Sequence, residues 1–276
     1  MSTTPESPNP LGQPLAWDLV ADGYMEELVP VFERFAVRAL DLASVGPGTR
    51  VLDVAAGPGT LALVAAERGA EVTAVDFSPG MIERLRGRAA ANGVATVRAV
   101  VGDGQALELP DAAFDAAFSM FGVIFFPDRA RGLREMTRVL ATGGRAVVSS
   151  WPPLDRAPIL ATVFGSLRAH LPGFPLAGGR PPLGDPAEIR AELGAAGLND
   201  VQVEEVTVAH EFASMHDAWT SIARSTAPLA LLRRRLGADA SRELEGKILQ
   251  DLVARFGSGP VPFDAVAYLA SGRRAH

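Results

Sequence analysis

The segment that most constrains this chain is residues 50–60, RVLDVAAGPGT. Residues 51–54 are mostly apolar and rich in valine, which is typical of a buried parallel strand. Gly57 and Gly59 break this strand, and the alanine- and leucine-rich stretch that follows predicts a helix over residues 61–68. A strand, a glycine turn and a helix in this order predict an α/β fold with a ligand at the turn.

A second apolar stretch, residues 71–75, predicts the next strand, which ends on Asp76. Asp76 lies 23 residues after Asp53. Nucleotide-binding folds place an acid that binds the ribose hydroxyls about 20 residues beyond the glycine turn. The pair of strands therefore predicts a cofactor of the adenosine type.

The glycine spacing distinguishes between such cofactors. A dinucleotide site uses G-x-G-x-x-G, but Ala62 occupies the third glycine position here and no glycine recurs until Gly69. Asp53 would repel a pyrophosphate, whereas its charge suits a ligand that carries an ammonium group and a sulfonium. The pattern favours S-adenosylmethionine over NAD, and a dehydrogenase remains an alternative that these residues disfavour.

Residues 53–59 resemble the [DE]-x-G-x-G-x-G signature of class I S-adenosylmethionine-dependent methyltransferases, with Ala55 and Ala56 at positions where the family often has other small residues. Further segments resemble the family in the same order along the chain: DFSPGM (76–81), GDGQALELPDAAFDAAFS (102–119), FGVIFFPD (121–128) and EMTRVLATGGRAVVSSW (135–151). The resemblance covers residues 45–151 and is to small-molecule methyltransferases with a core like that of the ubiquinone and menaquinone methyltransferases.

Alternating strand and helix patterns predict an α/β fold. The resemblance implies a Rossmann-like, doubly wound, mostly parallel seven-stranded sheet with an antiparallel last strand, plus a helical substrate cap. The predicted strands are residues 50–54, 71–75, 96–101, 114–118, 145–150, 200–210 and 263–270, and the clearest connecting helices are residues 79–91 and 128–140. The last two strands are expected to form an antiparallel edge.

The chain is interpreted as a single methyltransferase domain over residues 1–276. Its predicted parts are a disordered start (1–14), two N-terminal helices broken near Pro30 (15–44), the cofactor-binding core (45–151), and two cap insertions (152–190 and 211–260). Within the insertions, residues 152–185 are rich in proline and glycine and predict an irregular loop, whereas residues 215–256 predict helices. Both would cover the substrate pocket at the carboxyl edge of the sheet.

The resemblance assigns roles at the cofactor site. Asp53 would orient the methionine end, Asp76 would bind both ribose hydroxyls, and Asp103 would accept a hydrogen bond from the adenine amino group. The other expected contacts are Ala55, Gly57, Gly59, Phe77, Met81, Gly104, Gln105, Met120 and Phe121. Structural alternatives exist, since Asp53 could act as a helix N-terminal acid and the glycines as a plain turn. Ser78 before Pro79 is expected to cap the next helix, which frees Asp76 for the ligand.

Methyl transfer is an in-line displacement that can be accelerated largely by alignment, with effective molarities of roughly 10⁵–10⁸ M in favourable systems. The catalytic residue stays open, with His216, as a possible general base, and Tyr24 as candidates. Trp17, Tyr24, Met215 and Trp219 are candidate substrate contacts, with ordinary core packing as the alternative.

Composition limits the partners. The net charge of −6 and the pI near 5.3 disfavour nucleic acid. The chain has no cysteine, hence no disulfide or thiolate metal site, and its histidines lack metal-ligand spacing. No signal peptide or apolar span is evident, so a cytoplasmic monomer or homodimer without membrane contact is expected.

The sequence thus predicts methyl transfer from S-adenosylmethionine, leaving S-adenosylhomocysteine, to a small-molecule acceptor at oxygen, nitrogen or carbon. Secondary metabolites are a candidate class of acceptor. Two alternatives stay open: a quinone-type C-methyltransferase and a catalytically inactive, cofactor-binding regulatory protein.

Overall fold

The computed structural model describes residues 10–172 and 181–275. Its main sheet has seven strands in the order β3-β2-β1-β4-β5-β9-β6. The strands are β1 (Arg50–Val54), β2 (Glu71–Asp76), β3 (Val97–Val101), β4 (Phe114–Ser119), β5 (Leu140–Ser150), β6 (Leu198–Val208) and β9 (Ala265–Arg274), while β7 (Glu211–Phe212) and β8 (Val261–Pro262) form a separate pair.

Strands β1 to β5 are parallel, so their carboxyl ends lie at one edge of the sheet. Strand β9 pairs antiparallel with both β5 and the edge strand β6. The mostly parallel, seven-stranded sheet with an antiparallel last strand is confirmed. The two final strands also form the expected antiparallel pair at this edge.

Helices cover both faces of the sheet. The described α-helices are α1 (Pro14–Asp18), α2 (Ala21–Gly23), α3 (Val29–Leu42), α4 (Thr60–Glu67), α5 (Pro79–Ala91), α6 (Arg129–Val139), α7 (Pro158–His170), α8 (Pro186–Ala195), α9 (Met215–Ser225), α10 (Ala227–Leu236) and α11 (Ala238–Phe256), of which α3, α4, α5, α6 and α8 pack on the sheet. Neighbouring residues of β1 serve opposite faces, since Val51 packs in the core with Phe35 of α3, and Leu52 in the core with Met136 of α6. This alternation creates the two layers of a doubly wound fold.

The N-terminal region differs from the prediction. Residues 1–9 lie outside the described residues, but Pro10–Gly12 forms a 3₁₀ turn and α1 starts at Pro14, so the expected disorder is wrong for residues 10–14. Trp17 Nε1 donates to the carbonyl of Leu11 at 2.9 Å, and both side chains pack against a small apolar cluster that includes Ala227 of α10, a contact that is distant in the sequence. The expected boundary near Pro30 is present, since a π-helical turn over Tyr24–Leu28 ends where α3 begins at Val29. Pro30 lies in the first turn of α3, where its missing N–H costs nothing.

The first insertion contains a helix that the sequence analysis predicted as an irregular loop. Helix α7 spans Pro158–His170, with Ile159, Val163 and Leu167 buried one turn apart. The surrounding prolines obscured this pattern, although Pro158 simply begins the helix. Residues 173–180 of the predicted loop lie outside the described residues. Together with α9, α10 and α11, α7 encloses an apolar core of its own, and this four-helix unit is called the cap below.

Candidate active site

A cavity of about 280 Å³ lies at the carboxyl edge of the sheet, beyond β1 to β4. Residues 11–24, called the N-terminal segment below, lie over it. Ten of the twelve predicted cofactor residues line it: Ala55, Gly57, Asp76, Phe77, Met81, Asp103, Gly104, Gln105, Met120 and Phe121. Trp17 and Tyr24, two of the predicted substrate contacts, line it as well. The structure thus brings together residues from five separate segments of the chain.

The two glycines of the turn after β1 have different environments. Gly57 has φ +55°, and a Cβ placed there would meet no atom within 4 Å. Gly59 has φ +83°, and a Cβ there would lie 2.0 Å from Leu85 Cδ1. Gly59 therefore lets α5 pack closely and does not line the cavity, whereas Gly57 leaves open space for a ligand to approach the backbone.

Asp76 ends β2 and is only 5% exposed. Its Oδ2 accepts a hydrogen bond from the amide of Gly57 and its Oδ1 one from the amide of Ser78, both at 2.8 Å. Each oxygen keeps a second lone pair for a hydroxyl. Burial raises the pKa of Asp76 to about 6, although these two amides favour the carboxylate. Ser78 caps α5 as expected, accepting from the amide of Met81, and its hydroxyl donates to Asp18 of α1.

Asp53, in β1, is almost completely buried at 1% exposure. Burial, and secondly the nearby Asp76, raise the pKa of Asp53 to about 8, while an amide hydrogen bond from Ala62 in α4 opposes the shift. Its Oδ2 and the hydroxyl of Thr60 are buried without any hydrogen-bond partner among the described residues. Asp53 does not line the cavity. It acts as an N-terminal acid of α4 and retains one oxygen that a ligand or water could satisfy.

The loop after β3 forms another wall of the cavity. Asp103 Oδ1 accepts from both the backbone amide and the side-chain amide of Gln105, at 2.8 and 3.0 Å. Gly104 is required for packing, because a Cβ there would lie 2.6 Å from the ring of Phe126 and 2.7 Å from Val54. Phe126 therefore closes this wall, a role that its position in FGVIFFPD did not reveal.

Phe121 follows β4 in the left-handed region, with φ +59°. Its amide donates to the hydroxyl of Ser149 at 2.8 Å, and its ring stacks on Trp151 with centroids 4.0 Å apart. Phe32 of α3 contacts both rings. A non-glycine residue at positive φ is strained and needs such support. The aromatic contacts of Trp151 and Phe32 were missed because the residues are distant in sequence.

The N-terminal segment covers the cavity. Trp17 meets Phe125 edge to face at 4.9 Å, and Tyr24 meets Phe32 in the same way at 5.6 Å. Burial, and then the charges of Asp76 and Asp53, raise the pKa of Tyr24 above its usual value. Its hydroxyl therefore remains protonated at neutral pH and can donate a hydrogen bond, so a catalytic role of Tyr24 would not be that of a general base.

Three other predicted residues do not reach the cavity. Met215 and Trp219 are buried in the core of the cap, so the alternative of ordinary packing describes them. His216 is exposed on α9 and does not line the cavity either, which gives it no position as a base. Periodicity alone left open what covers the buried face of α9.

Within the described ranges, no group of three or more His, Cys, Asp or Glu residues could hold a metal ion. A separate search of the described helices found none that is both long enough and apolar enough to cross a membrane.

The chain has a Rossmann-like α/β fold, and ten of the twelve residues that the resemblance assigned to the cofactor line its cavity. Residues 51–144 match the family model of a methyltransferase domain, and this part of the chain belongs to that family. The resemblance seen in the sequence is therefore confirmed for the core.

A demethylmenaquinone methyltransferase from Thermus thermophilus is 47% identical over 122 residues, which are 44% of this chain and 55% of that protein. The chain spans about half the length of the curated relatives it matches. The YcgJ protein of a Bacillus species has a similar fold (TM-score 0.58, 22% identity, 87% of this chain and 98% of that one). So has a phosphoethanolamine N-methyltransferase of Haemonchus contortus bound to S-adenosylhomocysteine (TM-score 0.55, 17% identity, 88% and 53%).

Proposed function

We propose that this protein transfers a methyl group from S-adenosylmethionine to a small-molecule acceptor. The observation that carries the proposal is the arrangement around Gly57: open space at its Cα, its amide bonded to Asp76, and the unpartnered oxygen of Asp53 nearby in β1. A cradle without a Cβ, a carboxylate able to accept two hydroxyls and a second buried acid fit a ligand with a ribose and a cationic end.

When bound, the cofactor supplies an electrophilic methyl group on a sulfonium. The residues of this chain would bind and orient it: Asp76 would take the ribose and Asp103 the adenine edge. Asp53, which does not line the cavity, would act on the cationic end only through the turn that follows it. The aromatic rings of the N-terminal segment exclude water from the cavity. Such a site accelerates displacement mainly by alignment, which can contribute about 7–11 kcal/mol.

Calorimetric titration tests the cofactor assignment. S-adenosylmethionine and S-adenosylhomocysteine should bind and NAD should not, and Asp76→Ala should weaken both adenosyl ligands by about 100-fold, because it removes two hydrogen bonds to a charged group. Asp115→Ala is the matched control, since Asp115 pairs with Arg50 near the amino ends of β4 and β1, whereas the cavity lies at the carboxyl ends. Failure of both adenosyl ligands to bind would reject the proposal, and binding of NAD would favour the dehydrogenase alternative.

A quinone-type C-methyltransferase is a second candidate, favoured by the 47% identity to a demethylmenaquinone methyltransferase and by one surface feature. Leu15 of α1 and Leu19, which directly follows this helix, are 43% and 42% exposed. Pro14 and Trp17 of the same helix line the cavity. An apolar surface beside the cavity suits an acceptor with a long apolar tail. Methylation of a detergent-solubilised demethylquinone, but not of soluble amines and phenols, would select this candidate.

An inactive, cofactor-binding regulator is the remaining alternative. Turnover of S-adenosylmethionine with any acceptor in a broad screen would exclude it. A cytoplasmic location, the absence of a nucleic-acid partner and a monomeric or homodimeric state remain predictions, which cell fractionation, a filter-binding assay and light scattering would test.

A further inference from the structure

Gln105 bridges two parts of the cavity wall through its side-chain amide. Its Nε2 donates to Asp103 Oδ1 at 3.0 Å, and its Oε1 accepts from the backbone amide of Asp128 at 2.7 Å. Asp128 in turn caps α6, with its Oδ1 accepting from the amide of Arg131 at 2.9 Å. Gln105 thus attaches the loop after β3 to the residue that caps α6.

The chemistry of the two neighbours permits only one orientation of this amide. The Asp103 carboxylate can only accept and the Asp128 N–H can only donate. Turning the Gln105 amide over would place its oxygen against the carboxylate and its NH₂ against the N–H, so both hydrogen bonds would be lost. The bridge therefore has a fixed direction, from a donor on Asp128 to an acceptor on Asp103.

The bridge also distinguishes the two oxygens of Asp103. Oδ1 receives both the backbone and the side-chain amide of Gln105. Oδ2 receives no donor from the residues that the structure describes, and Asp103 lines the cavity. Oδ2 is thus the oxygen left for a ligand, and Gln105 fixes the rotation of the carboxylate that presents it.

We propose that Gln105 is a positioning residue, which makes the site selective for adenine by holding Asp103 Oδ2 toward the 6-amino group. The inference rests on the proposed function. It gives Gln105 an indirect role in place of the direct cofactor contact expected from the sequence. A 6-amino group donates to Oδ2, whereas the 6-oxo group of hypoxanthine would oppose it with a second acceptor.

The test compares S-adenosylhomocysteine with S-inosylhomocysteine by calorimetry. The wild-type protein should prefer the adenine ligand by about tenfold or more, because a hydrogen bond to a charged group is at stake. Gln105→Met keeps the length of the side chain and removes both hydrogen bonds. It should weaken the adenine ligand by about fivefold and leave the inosine ligand nearly unchanged. Glu108→Ala, an exposed acid of the same loop, is the control and should change neither.

A double-mutant cycle separates positioning from general support of the loop. In an Asp103→Ala background, Gln105→Met should have no further effect on either ligand, because the group it positions is gone. Equal weakening of both ligands by Gln105→Met, or a full additional loss in the Asp103→Ala background, would overturn the positioning role. Binding of both ligands by the wild type without preference would reject the contact between Asp103 and adenine. Binding of neither would reject the proposed function itself.

Discussion

The wall of the candidate cofactor cavity, called the cofactor wall here, and the cap are built in different ways. Around Gly57, Asp76 and Asp103, individual backbone amides and carboxylates pair one by one, and buried groups such as Asp53 Oδ2 are left without a partner. The cap instead buries apolar side chains, with Ile248 fully enclosed. In the cofactor wall, single polar atoms determine what can bind. In the cap, the packing of many apolar side chains determines stability. Substitutions should therefore separate ligand affinity from the free energy of unfolding.

The largest expected effect on stability is in the cap. Leu252 of α11 is fully buried, so Leu252→Ala should lower the free energy of unfolding by about 2–5 kcal/mol through lost burial and a cavity. Affinity for S-adenosylhomocysteine should stay within about twofold, because the cofactor wall contains no cap residue. Urea unfolding and calorimetry measure the two quantities. A tenfold loss of affinity in a fully folded variant would show that the two regions are coupled.

The next largest effects concern the turn after β1, where Gly57 and Gly59 show the same contrast between ligand binding and stability. Gly59→Ala places a Cβ 2.0 Å from Leu85 Cδ1 at a positive φ, and should destabilise the protein by about 2–4 kcal/mol. Gly57→Ala meets no neighbour and should cost only about 1 kcal/mol, but the added methyl group obstructs the ligand. Denaturation and titration of both variants should thus give opposite rankings. The same ranking in both measurements would contradict the division of roles.

Local signals explain why much of the fold could be predicted. The predicted bounds of β1 and α5 agree with the structure, because Ser78 and Pro79 mark the start of α5 and the glycine turn follows β1 closely. Helix α7 and the ordered residues 10–14 were missed. Their stability comes from partners far away in the sequence, such as the cap core around α7, which no local pattern reveals.

The candidate site shows the same limit. Asp76 could be predicted, because the carboxyl ends of neighbouring parallel strands meet at one edge of the sheet. Trp219 could not be placed, since an amphipathic helix shows which face is buried but not what covers it. Phe126 and Trp151 reach the site region through tertiary contacts alone.

An effect of intermediate size concerns Asp53. Its pKa is raised to about 8 from the usual 3.8, so between these values the folded protein holds a proton that the unfolded chain has released. Stability should therefore fall as pH rises, with a slope of about 1.4 kcal/mol per pH unit for one proton. The pKa of Asp76 is raised only to about 6, so above pH 6 most of this slope belongs to Asp53.

Asp53→Asn should remove that slope, so the stability of the variant relative to the wild type should be about 2 kcal/mol higher at pH 8 than at pH 6. Urea unfolding at both pH values measures the change. Asp115→Asn is the control, because the Arg50 guanidinium holds the pKa of Asp115 below its usual range, and no decline above pH 6 depends on it. A slope in Asp53→Asn equal to that of the wild type would assign the proton to another group.

The smallest expected effect has the opposite sign. Ala55 adopts φ +57° at a position where the family signature often has glycine. Its methyl group lies close to Gly122, since a Cβ added to Gly122 would lie 2.3 Å from Ala55 Cβ. Glycine tolerates this backbone without strain but gains entropy in the unfolded chain, so Ala55→Gly should raise the free energy of unfolding by only about 0.5 kcal/mol. Ala112, exposed at φ +55°, is the matched control, and Ala112→Gly should give the same gain. A loss of stability confined to Ala55→Gly would mean that the methyl contact with Gly122 outweighs the strain, so that packing, as in the cap, also governs the cofactor turn.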